Sequence, residues 1–97
     1  MVEITIHPAA ELEYEHAFEW YLDQNARAAA GFEIAVDRAM QSIARFPDAC
    51  PLCDDIHRYR GLKRYPYGII YRFDGASVRV VAITHDRQLP GFWIGRE

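Results

Sequence analysis

The sequence predicts an α+β domain in which a two-helix hairpin packs on a small, mostly antiparallel sheet, in the order β-α-α-β-β-β. Three observations carry this expectation. Apolar and polar residues alternate at the N-terminus, the spacing then lengthens to a helical three-and-four period over two successive stretches, and an Asp-Gly pair later separates two β-rich runs. A chain of 97 residues has material for one hydrophobic core, so residues 1–97 are read as a single domain.

Val2, Ile4 and Ile6 alternate with Glu3, Thr5 and His7, the period of a half-buried strand, and Pro8 ends it. From Ala9 to about Asp23, Ala10, Tyr14, Ala17, Phe18 and Tyr21 fall on one helical face, with Glu11, Glu15 and Glu19 on other sides. Asn25 is placed to cap a second helix, whose stripe runs through Phe32, Ala35, Val36, Ala39, Ile43 and Phe46 until Pro47 stops it. The segment PDACPLCDD has two prolines, three aspartates and no periodicity, and reads as a loop. RYRGLKRY, YGIIYRF and ASVRVVAIT then describe a meander, the last two joined at Asp74-Gly75, since both central residues of a type I′ turn need positive φ. A two-residue turn sets Phe73 against Ala76, Arg72 against Ser77, Gly68 against Val81 and Arg64 against His85. The tail HDRQLPGFWIGRE is too rich in Pro and Gly for a helix and is left irregular.

Composition narrows the class. Hydrophobic residues make up 51% of the chain and charged residues 26%, which is globular and unlike the aromatic-poor signature of disorder. No apolar run approaches the roughly 20 residues needed to span a bilayer, and the N-terminus lacks a basic start and apolar core, so a cytoplasmic location is expected. Cys50 and Cys53 would stay reduced there. With His57 they offer three zinc ligands at most, one short of a closed structural site, and no metal or small-molecule cofactor is expected. The net charge of −3 hides an uneven distribution: residues 1–56 balance at −8 and residues 57–97 at +5. One surface is therefore suited to an anionic partner, or the two layers attract each other within the domain.

Several segments make the pattern more specific: A-x-E-L at Ala9 to Leu12, Trp20-Tyr21, Gly31-Phe32, Phe46-Pro47, L-K-R-Y-P-Y-G-I-I-Y-R at Leu62 to Arg72, and H-D-R-Q-L-P-G-F-W at His85 to Trp93. Together they resemble the RelE/ParE toxins of type II toxin–antitoxin systems, in the branch often labelled plasmid stabilisation proteins, and the likeness runs nearly end to end. The resemblance implies a growth-arresting toxin and a cognate small antitoxin bound across the helices or the sheet margin. It leaves the target open between messenger RNA cleaved on the ribosome and DNA gyrase bound without nuclease activity. A decayed toxin that keeps only its antitoxin interface is a third reading.

RNA cleavage needs an acid or base near neutrality, cations around the phosphate and a platform for a base. His85, Arg87, Arg64 and Lys63 are the candidates for the chemistry, with Phe92 and Tyr71 for substrate contact. Phe92 and Trp93 read more readily as a cover for a small core, and the alternating Tyr65, Tyr67 and Tyr71 more readily as a core stripe beneath the helices. Against a nuclease stands Gly68, where the ribosome-dependent relatives typically carry an arginine; glycine offers no cation to a phosphate.

Overall fold

The computed structural model describes residues 1–97. Its elements are β1 (Glu3–Ile6), α1 (Pro8–Gln24), α2 (Ala26–Arg45), β2 (Arg58–Gly61), β3 (Tyr67–Phe73) and β4 (Ser77–His85), in the expected order. Pro8 occupies the first turn of α1, where its missing N–H costs nothing, and His7 caps that turn by accepting from the Ala9 amide through Nδ1 at 3.0 Å. Asn25 serves both helices. Its amide donates to Tyr21 O at 2.9 Å to close α1, and its Oδ1 accepts from the Ala28 amide at 2.7 Å to open α2. A single extended residue therefore joins the two helices and forces them into an antiparallel hairpin.

The sheet runs in the order β1-β4-β3-β2, with β1 parallel to β4 and the other pairs antiparallel. Its register differs from the two-residue turn expected from the sequence. Asp74 Oδ1 accepts from the amides of both Ala76 and Ser77 at 2.8 Å, so the side chain organises a wider turn and Phe73 pairs with Val78. A bulge between Ile70 and Tyr71 then leaves Val81 without a direct partner. The wider turn moves the register by two residues and the bulge by one, so His85 faces Tyr67 and not Arg64.

Helices cover one face of this sheet. Ala10, Ala39 and Ile43 pack on Ile69, Tyr71, Val78, Val80 and Ile83, and Phe32 packs with Ala17 and Val36 against Tyr65 and Tyr67. Tyr71 is wholly buried and its hydroxyl donates to Pro47 O at 2.8 Å, so it is a core residue, out of reach of any substrate. The α2 stripe ends at Ile43; Phe46, at the helix C-cap, leaves helical geometry and is 61% exposed.

The opposite face is covered too. Ile70, Val81 and Ala82 lie under Trp93, with Tyr59 and Phe92 alongside, so the irregular C-terminal tail forms a second lid on the central strands. Trp93 is fixed there by donating Nε1 to Asp54 at 3.0 Å. Asp54 also accepts from the amides of Ile56 and His57, at 2.9 and 2.7 Å, and from His57 Nδ1 at 2.8 Å. One carboxylate thus ties the 48–57 loop to the tail. Arg96 adds a second fastening beyond the end of β1, where β4 has no strand neighbour: it donates to Val81 O at 2.9 Å and pairs with Glu13, whose Oε1 accepts from the Ile83 amide.

Burial alone would raise the Asp54 carboxyl, but the hydrogen bonds from Trp93, Ile56 and His57 outweigh it and hold the group well below the usual carboxylate range. A depressed folded-state value means that the stabilisation is complete above the unfolded-state value of about 3.9 and is lost as pH falls through and below it. The stability gap between the protein and Asp54→Asn is therefore expected to stay constant above about pH 5 and to narrow below about pH 4, as read from urea midpoints across that range. A gap independent of pH would show that the charge on Asp54 is not what holds the tail.

Candidate functional site

The residues that suggested chemistry gather near one end of the sheet without converging on one point. Lys63 and Arg64 lie in the β2–β3 connection, and Arg87 lies in the turn that follows β4; all three are exposed. The two segments meet where the Asp86 amide donates to Pro66 O at 2.8 Å. Arg64 adopts φ 69°, the left-handed region that a side chain seldom occupies, and is the only residue other than glycine to do so. None of these three cations takes part in a salt bridge, since the pairs present are His57–Asp54 and Arg96–Glu13.

His85 sits opposite Tyr67, ring to ring at 5.0 Å, on the face of the sheet that carries the helices. Its Nδ1 accepts from the Arg87 amide at 3.0 Å, and its own amide donates to Gln88 Oε1 at 2.8 Å. No carboxylate hydrogen-bonds to the ring, so nothing orients it as the base of a dyad. Phe92 packs on the other face, beside Trp93 at 5.3 Å and beneath the Arg96 guanidinium at 5.1 Å. The acid–base candidate and the base-stacking candidate are thus on opposite sides of the sheet. Cys50, Cys53 and His57 do not converge either: Cys53 Sγ donates to His57 O at 3.5 Å, and the His57 ring turns Nδ1 to Asp54.

A residue that the sequence reading passed over occupies the decisive position. Tyr59 of β2 lays its ring directly on the backbone of Gly68, where an added Cβ would stand 2.6 Å from the Tyr59 hydroxyl oxygen and closer still to the ring carbons. The hydroxyl donates to Asp86 Oδ1 at 3.2 Å, and the ring packs with Ile70, Val81, Ala82 and Trp93. Burial and then the neighbouring Asp86 push the Tyr59 phenol above its ordinary value, so it stays protonated and acts as a donor. The glycine within an apolar strand was the available signal, because a strand glycine often marks the close approach of another group.

The fold is that of the RelE/ParE-type toxins, a helical hairpin on a small mixed sheet. The family described as "ParE toxin of type II toxin-antitoxin system, parDE" matches residues 4–90, and the chain belongs to it. Among solved structures it is similar to a chain of "Chromosomal ParDE TA system from P. aeruginosa", with a TM-score of 0.63 at 14% identity, over 88% of this chain and 96% of that one. No curated protein matches it in sequence. No helix is long and apolar enough to cross a membrane.

The contact between Tyr59 and Gly68 can be measured directly. Gly68→Ala is expected to cost about 1–3 kcal/mol of unfolding free energy by overpacking, and a good part of that cost should vanish in a Tyr59→Ala background. Additive effects in the double-mutant cycle would mean that the ring and the backbone are not in contact.

Proposed function

We propose that this chain is the toxin half of a two-protein module, held inactive by a small antitoxin, and that it arrests growth by binding DNA gyrase without cleaving RNA. The observation that carries this choice of target is the Tyr59 ring on Gly68. An arginine at position 68 would serve a nuclease by stabilising charge on the phosphate, but here the neighbouring aromatic ring fills the space such a side chain needs. His85 on one face and Phe92 on the other point the same way, since transfer of the 2′-hydroxyl proton and stacking of a base must happen around one nucleotide. The acidic overall balance, with a pI of about 5.8, is also poorly matched to ribosomal RNA, where phosphate neutralisation dominates affinity.

One observation favours the ribosome-dependent alternative: Lys63, Arg64 and Arg87 are unpaired cations near the His85 end of the sheet. The two readings separate on purified components. With gyrase as the target, the protein inhibits ATP-dependent supercoiling of relaxed plasmid, leaves messenger RNA on programmed ribosomes intact, and remains toxic as His85→Ala. Cleaved messages that disappear with His85→Ala, together with unaffected supercoiling, would replace gyrase by the ribosome.

A further inference from the structure

One edge of the sheet carries a groove that the gyrase reading does not use. It lies between α2 and β2, the strand at the edge opposite β1, and encloses about 570 Å³. From α2, Gly31, Ile34, Ala35, Arg38 and Ala39 face it at helical spacing; Arg60, Leu62, Lys63 and Arg64 face it from β2 and the turn that follows. We infer that this groove is a docking surface for an extended, acidic peptide segment of a protein partner, which adds to the edge of β2 and places its carboxylates among Arg38, Arg60, Lys63 and Arg64.

Charge supports that occupant. The four cations take part in no salt bridge, although the chain as a whole carries a net charge of −3 and has more acidic residues than basic ones. Arg60 Nε is buried without a hydrogen-bond partner, an unmet donor on the groove wall. Arg58, one strand period away, shows the contrast: its guanidinium is engaged by the carbonyls of Asp48 and Cys50 at 3.2 and 2.6 Å. The other flank of α2 has the opposite sign. There Glu33 and Asp37 join Glu11 and Glu15 around a second depression, and burial followed by Glu33 and Asp37 pushes the Tyr14 phenol upward. An acidic segment is repelled from that flank and drawn to this one.

Backbone geometry supports an extended occupant. Tyr59 turns its amide away from β3 and donates to Pro51 O at 3.2 Å, so the strand's outward groups are those of Tyr59 and, by alternation, of Gly61. The loop covers this edge as far as Tyr59, through the Tyr59 amide and a bridge from Leu52 to Arg58, and the exposed Gly61 beyond it is the position left for another strand. Ile34 is half exposed and Leu62 partly buried, so alternate side chains of the added strand meet apolar surface between the cations. The left-handed Arg64 at the groove margin is strain of the kind kept where a side chain must be aimed.

The surface can be tested without a toxicity readout. The probe is a fluorescent peptide of about six residues alternating Glu and Val, compared with its Lys-Val counterpart and with an oligodeoxyribonucleotide of similar length, by anisotropy at low salt. Expected are saturable binding of the Glu-Val peptide at least about tenfold tighter than of the Lys-Val peptide, and an about tenfold loss in Lys63→Ala/Arg64→Ala, two exposed positions whose change leaves the fold intact. Arg45→Ala, an exposed cation outside the groove, should leave affinity unchanged, and the Gly61 amide should gain protection from hydrogen exchange when the Glu-Val peptide is added. Equal binding of the two peptides, no loss in the double variant, or an unprotected Gly61 amide would overturn the proposal. Competition by the oligonucleotide as strong as by the Glu-Val peptide would do the same, by assigning the cations to phosphate.

Discussion

The ring of Tyr59 resting on the bare backbone of Gly68 is the contact that organises the face of the sheet beneath the C-terminal tail. It joins the edge strand to the apolar layer under Trp93, and through its hydroxyl it holds Asp86 in the turn beyond β4. In the same stroke it leaves no room for a side chain at position 68. A small domain has little surface to spare, and here the second face of the sheet is used as core.

That use of both faces gives a short sheet two apolar covers. The hairpin of helices supplies one apolar cover and the C-terminal tail the other, so β3 and β4 are buried above and below as strands of larger layered folds are. The tail has no regular hydrogen bonding of its own and depends on fastenings: Trp93 on Asp54, Arg96 on Glu13 and on the carbonyl of Val81. Each fastening satisfies polar groups that the short β1 and the irregular loop would otherwise leave without partners.

Periodicity was enough to read the order of elements, the helix boundaries to within a residue or so and the tyrosine stripe, because those follow from nearest-neighbour chemistry: Pro8 ending the first strand, Asn25 separating two helices, and alternation along β3. Register was not legible. The Asp74 side chain accepts two amides and widens a turn that Asp-Gly alone would make tight, and no local signal announces the bulge at Val81. Three residues of offset moved His85 from Arg64 to Tyr67. The resemblance to RelE/ParE toxins came from segment motifs and agrees with the family to which the chain belongs. Tyr59, Glu13 and Asp54 were missed because each acts across long sequence separations, where a single chain gives no sign of its partner.

The process that stops first when the toxin acts alone distinguishes gyrase from the ribosome as its target. Inducing this chain in a bacterium without an antitoxin and following pulse-labelled DNA and protein synthesis over the first minutes decides it. A gyrase-directed toxin halts DNA synthesis early and induces a damage response while translation continues; a prompt fall in translation with cleaved messages, ahead of any loss of DNA synthesis, would contradict that reading.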